Sequence, residues 1–230
     1  MITANAHCYE VRCFPMSPSS PVIFVVDDDV SVRESLELLM RHEGLAVETF
    51  TSAREFLARP RVSVPSCLIL DVSLPDLNGL ELQKCIALDR HEMPIIFITG
   101  HGDIPMSVQA MKAGAVEFLT KPFGEETLLK AICNAIERSK VLLDRDTEIR
   151  GLKARYAHLT SREREVMALV VAGFPNKQVG GELGISEITV KAHRGSVMRR
   201  MKAESLPELV SMAARLRLVR PTATSSHAAK

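Results

Sequence analysis

The stretch CLILD, residues 67–71, is an unbroken apolar run that ends in a carboxylate. A strand without alternation is buried on both faces, and such strands belong to parallel sheets covered by helices on each side. Three more apolar runs end in a polar station: Val22–Val26 before Asp27-Asp28, Ile95–Ile98 before Thr99, and Glu117–Thr120 before Lys121. As parallel neighbours, these runs bring three carboxylates, one hydroxyl and one ammonium to a single sheet edge. Open α/β sheets hold their ligands at that edge. Carboxylates so close cannot all stay charged without a compensating cation, so the edge calls for a hard metal ion.

Working outward, apolar runs alternate with helical patterns, which predicts βαβ units. Ala46–Phe50 supplies a fifth strand. Ser31 and Glu34 fit a capping box opening a helix with Val32, Leu36, Leu39 and Met40 on its apolar face, and Gly44 ends it. Ser52 and Glu55 fit the same pattern for the second helix. Leu80–Ile86, Ile104–Ala113 and Glu125–Lys140 give the others. The fold expected for residues 21–137 is a flavodoxin-like five-stranded parallel (βα)5 sheet.

Residues 138–158 read as a charged helical linker. Leu142, Ile149, Leu152, Tyr156 and Leu159 repeat at a 7-3-4-3 spacing, a short seam for dimerisation or for packing against a neighbouring domain. Residues 159–220 are patterned as four helices. Residues 1–20 and 221–230 lack periodicity and are expected to be disordered, which makes Met16 a candidate start beside Met1.

The net charge of +1 over 230 residues hides an asymmetry. Residues 22–137 carry 10 Lys/Arg against 18 Asp/Glu, whereas residues 159–220 carry 11 against 6. A basic domain joined to an acidic one suggests a nucleic-acid partner. The five cysteines (Cys8, Cys13, Cys67, Cys85, Cys133) show no metal-ligand spacing, and Cys67 and Cys133 sit in apolar contexts as core thiols. No apolar run approaches the roughly 18 residues of a membrane span. The N-terminal stretch lacks the pattern of a signal peptide. A cytoplasmic protein without a membrane partner is expected.

The segments VVDDDVSVR (25–33), LDVSLPDLNGLEL (70–82) and FITGHGDIPMSVQAMKAGAVEFLTKPF (97–123) together resemble the receiver domain of two-component response regulators, of the FixJ type in particular. The resemblance implies that Asp71 accepts a phosphoryl group from a sensor histidine kinase. It implies that Asp27, Asp28, Asp71 and the backbone carbonyl of Ser73 hold Mg²⁺, and that Lys121 and Thr99 contact the phosphoryl group. Thr99 and Phe118 would form the switch, and the Lys121–Pro122 bond would be cis. Asp29 is expected to be a flanking acid without a metal contact, and His101 a loop residue shaping access.

LTSREREVMALVVAGFPNKQVGGELGISEITVKAHRGSVMRRM (159–201) resembles the LuxR-type four-helix DNA-binding domain. Asn176–Leu183 is then the positioning helix and Glu187–Met201 the recognition helix of a helix-turn-helix. Thr189, Lys191, Ala192 and Gly195 are placed for base edges. Lys177, His193 and Arg199 are placed for phosphates, and Arg194 adds a cation. Ile188, Val190, Val197 and Met201 are expected to pack inward, and Glu163 to cap or pair internally. Gly180-Gly181 departs from the family, which usually carries alanine at the first position.

The expected protein is a phosphorylation-activated transcription factor that binds promoter DNA, forms a homodimer when phosphorylated, and has RNA polymerase as a further candidate partner. Two alternatives differ in class. One is a metal-dependent aspartyl-phosphate phosphohydrolase, which expects a second Asp where this chain has Ser73. The other is a docking protein that is never phosphorylated. Ser73 argues against turnover on outside substrates, and the intact acidic, Thr and Lys stations argue against simple docking.

Overall fold

The computed structural model describes residues 20–100 and 104–218. The expected N-terminal extension (but for Ser20), the tail from Pro221 and His101 lie outside them. The chain divides into two compact units, one ending at Asp144 and one beginning at Arg145. No helix among the described residues is long and apolar enough to cross a membrane.

In the first unit, strands β1 (Val22–Val26), β2 (Ala46–Phe50), β3 (Ser66–Asp71), β4 (Ile95–Thr99) and β5 (Glu117–Thr120) form one parallel sheet in the order β2-β1-β3-β4-β5. The helices are α1 (Val30–His42), α2 (Ala53–Ala58), α3 (Gly79–Asp89), α4 (Ile104–Lys112) and α5 (Glu125–Ala157). Successive strand residues point to opposite faces, and each face has its own core. Ile23, Val25, Cys67 and Ile69 pack with Leu36 and Met40 of α1 and Leu128, Ile132 and Ile136 of α5. Phe24, Val26, Leu68 and Leu70 pack with Phe56 of α2, Leu82 and Ile86 of α3, and Ala110 of α4. Every residue of β3 is buried, which is why its sequence shows no alternation. Burial pushes the Cys67 thiol well above its ordinary pKa. Cys133 is half-buried and Cys85 exposed.

One helix start differs from expectation. Asp29, not Ser31, is the N-cap of α1: its carboxylate accepts the Ser31 N–H at 2.8 Å, so Ser31 already lies inside the first turn. Both residue types cap well, and a cap two residues upstream lets Val30 start the helix. Ser52 caps α2 as expected. The last helix of this unit continues without a break to Ala157, 33 residues in all. Ser139 on it is fully buried; its hydroxyl accepts the Ser66 N–H at 3.0 Å and donates to the Glu92 carbonyl at 2.7 Å.

The second unit contains the end of α5 and helices α6 (Ser161–Val171), α7 (Asn176–Leu183), α8 (Glu187–Met201) and α9 (Leu206–Arg215). Leu152, Tyr156 and Leu159, members of the 7-3-4-3 seam, pack with Met167, Val197, Met201 and Leu209. That part of the seam serves packing within a domain. Thr160 and Glu163 form a capping box at the start of α6, and the Glu163 carboxylate also accepts from the Ser196 hydroxyl and pairs with Arg200 at 3.4 Å. These contacts hold its pKa below the ordinary glutamate range, the Ser196 hydrogen bond contributing most.

Gly184, at φ +64°, ends α7 in the left-handed region, and Ile185 N–H returns to the Gly180 carbonyl at 3.0 Å. A Cβ on Gly180 would stand 2.7 Å from the Ile185 carbonyl oxygen, so this turn folds closer than an alanine permits. A Cβ on Gly181 would meet nothing within 4 Å.

Candidate functional site

The sheet register sets the stations level. Val26 pairs with Leu70, Asp71 with Ile98, and Thr99 with Thr120. Asp27 therefore leaves β1 beside Asp71 at the end of β3, while Thr99 stands one step and Lys121 two steps further along the neighbouring strand ends. The strand order reverses direction between β1 and β3, the crevice position at which doubly wound sheets bind ligands.

The Lys121 ammonium bridges two carboxylates, donating to Asp27 Oδ2 at 2.7 Å and to Asp71 Oδ2 at 2.8 Å. Backbone N–H groups take the other oxygens: Asp29 N–H donates to Asp27 Oδ1 and Ser73 N–H to Asp71 Oδ1, each at 2.9 Å. Asp27 is fully buried, and that desolvation raises its pKa although Lys121 opposes it. Burial works against the Lys121 charge, but its hydrogen bonds to Asp27 and Asp71 outweigh it and hold the pKa above the ordinary lysine value. Lys121 N–H also donates to the Thr99 carbonyl at 2.7 Å, and the Lys121–Pro122 bond is cis.

Asp27, Asp28 and Asp71 each offer an oxygen, all within 4.8 Å of one another. Asp27 and Asp71 are buried and Asp28 is exposed, so the group opens to solvent on one side. Three hard oxygen donors in so small a space fit a small hard cation, with water completing its shell. Thr99 is fully buried at the end of β4. Phe118 is half-buried on β5, its ring centroid 6.1 Å from that of Phe97.

Sequence reasoning missed two supports of this site. Arg33 Nη1 donates to the Asp27 carbonyl at 2.7 Å, fastening the first turn of α1 to the acidic station. The Asp76 carboxylate accepts the N–H groups of Ala53 and Arg54, at 3.3 and 2.9 Å, so the loop after β3 caps α2. The Asp76 contact, between residues 22 and 23 apart, leaves no signal in the sequence.

Residues 23–133 match the family of response regulator receiver domains, and residues 157–213 match the bacterial regulatory proteins of the luxR family. The chain is 51% identical over 191 residues to nodulation protein W of Bradyrhizobium diazoefficiens, covering 83% of this chain and 84% of that one. The chain belongs to the response regulators. It is 42% identical over 191 residues to the transcriptional regulatory protein FixJ of Rhizobium meliloti, covering 83% of this chain and 94% of that protein. The structure of response regulator StyR superposes with a TM-score of 0.72 at 45% identity, covering 86% of this chain and all of that one. This response regulator carries a receiver domain and a LuxR-type DNA-binding domain.

On its output domain, α7 and α8 form the helix-turn-helix. Lys191, Ala192 and Arg199 are exposed on α8, and Gly195 is half-buried among them. Lys177 is exposed in the first turn of α7. His193 and Arg194 are half-buried, and Arg194 Nη1 donates to Asn176 Oδ1 on α7 at 3.3 Å. The Thr189 hydroxyl lies 2.8 Å from Ser186 Oγ, the N-cap of α8. Val190, Val197 and Met201 are buried as expected, but Ile188 is not: it is 79% exposed. Its spacing of two from Val190 puts the two on opposite sides of a helix.

Proposed function

We propose that this response regulator is switched by phosphorylation of Asp71. The observation that carries this reading is the Lys121 ammonium held between Asp27 and Asp71 at the sheet edge, with the Asp28 carboxylate beside them. An Asp71 carboxylate oxygen bonds to phosphorus as the P–N bond to a phosphohistidine of a sensor kinase breaks, and the imidazole leaves with the electron pair and takes a proton. Asp27, Asp28, Asp71 and the Ser73 carbonyl are the proposed holders of Mg²⁺, which when bound supplies positive charge to the transferring phosphoryl oxygens. Lys121 turns from Asp71 to a phosphoryl oxygen, and Thr99 donates its hydroxyl to another. Phe118 follows Thr99 inward, and the phosphorylated state is favoured because only it satisfies those contacts.

The catalysis is confined to the chain's own phosphorylation and dephosphorylation, in the cytoplasm. Ser73 stands where a phosphohydrolase would carry its second Asp. A homodimer then presents two α8 helices to half-sites about one helical turn apart in duplex DNA. Lys191, Ala192 and Gly195 face base edges, with Thr189 near them. Lys177, His193, Arg194 and Arg199 supply phosphate contacts, and RNA polymerase is a further candidate partner.

The test is radiolabelled acetyl phosphate with Mg²⁺: the native chain labels, and Asp71→Asn does not. Equal labelling of the variant removes Asp71 as acceptor.

A further inference from the structure

The output helix α8 carries an apolar side chain that nothing in its own domain covers. Val190, Val197 and Met201 fix the buried side of α8. At 100° per residue, Ile188 lies on the opposite side, in one stripe with Ala192, Gly195 and Arg199, four, seven and eleven residues further on. Within that stripe Gly195 and Arg199 are neighbours in space: a Cβ on Gly195 would stand 3.8 Å from Arg199 Nη1. Lys191, beside it, completes a face whose centre is apolar and whose flanks are cationic.

A single exposed isoleucine on a protein surface needs no explanation. Ile188 differs by its place. It occupies the first turn of the helix, and in helix-turn-helix proteins the N-terminal part of that helix meets the base edges. Thr189, its neighbour, has its hydroxyl hydrogen-bonded to the cap Ser186. A β-branched side chain on a helix keeps one preferred rotamer, so Ile188 loses little freedom on docking.

We propose that Ile188 is a sequence-reading residue, seating its side chain against the C5 methyl of a thymine in the major groove. This rests on the assignment of α8 as the DNA-reading helix. The methyl is the one apolar group the major groove displays, and it marks thymine. Over a guanine or cytosine edge the same side chain desolvates polar atoms without pairing them, which adds discrimination against those bases.

Exchanging thymine for uracil deletes that methyl and leaves the pairing edge intact. The full chain, treated with beryllofluoride and Mg²⁺, selects its duplex from a random pool, and each thymine of the selected site is then exchanged for uracil in turn. The native chain is expected to lose affinity roughly three- to fivefold at one thymine per half-site, the scale of one buried methyl. Ile188→Ala binds the parent duplex more weakly by a similar factor and is indifferent to that exchange. Ile188→Val retains the sensitivity. Indifference of the native chain to every exchange, or unchanged sensitivity of Ile188→Ala at the same thymine, overturns the proposal. If the chain selects no duplex at all, the assignment of α8 fails and the role of Ile188 fails with it.

Discussion

Lys121 lets Asp27 and Asp71 lie side by side in a largely buried position, and their placement in turn depends on a residue with no side chain. A Cβ on Gly79 would stand 2.5 Å from the Asp71 carbonyl oxygen and 3.0 Å from Val72 Cα, both backbone atoms. Gly79→Ala must therefore push the end of β3 away from α3, at a cost of about 1–3 kcal/mol. Labelling by acetyl phosphate should slow in step, because the Asp71 carboxylate moves relative to Lys121; an unchanged rate and melting temperature would show that the close approach holds nothing. Glu163 gives a second prediction. Its folded pKa is depressed, so its contribution is present above the ordinary glutamate value of about 4.5 and is lost as pH falls through the folded value. Glu163→Gln keeps the capping box but loses charge-assisted hydrogen bonds, and should cost about 1–3 kcal/mol at pH 7. That difference should shrink in urea melts below pH 4.5, and a constant difference would assign the loss to packing. Single residues were legible where one role dominated, as at Asp71 and Lys121. Asp29 carries a role that charge alone does not reveal: its position before α1 makes it the helix cap.

Elements were legible in proportion to their periodicity. β3 was written as unbroken hydrophobicity because both its faces are covered, and the structure extends it by only one residue at each end, to Ser66 and Asp71. The positioning helix α7 is harder to read, since two glycines in sequence look equally costly. Their surroundings separate them. Gly181 is exposed with open space around it, so Gly181→Ala should stabilise the chain by about 1 kcal/mol through helix propensity. Gly180→Ala should destabilise it by about 1–3 kcal/mol, because the Ile185 carbonyl occupies that space. Thermal melts of the two variants should move in opposite directions, and movement in the same direction would contradict the close turn. The inward reading of Ile188 failed for a similar reason: apolar character places a residue in a core only when its helical phase agrees, and Val190 sets that phase.

At the scale of the whole molecule, an acidic receiver domain is joined through α5 to a basic LuxR-type DNA-binding domain. If Lys177, Arg199 and their neighbours contact phosphates as proposed, they release counterions, and affinity for DNA should fall at least tenfold between 50 and 200 mM salt. A flat salt response in anisotropy titrations would place the contacts elsewhere. The two-domain organisation was legible from charge asymmetry and the strand-end stations, and the course of α5 from the charged helical pattern of residues 138–158, which continues the helix begun at Glu125. The central claim is that phosphate on Asp71 controls DNA binding, and titrating promoter-length duplex with the full chain, with and without beryllofluoride and Mg²⁺, tests it most directly. The account predicts tighter binding with beryllofluoride for the native chain and no change for Asp71→Asn. Equal affinity in both states of the native chain, or an unimpaired response of Asp71→Asn, would contradict it.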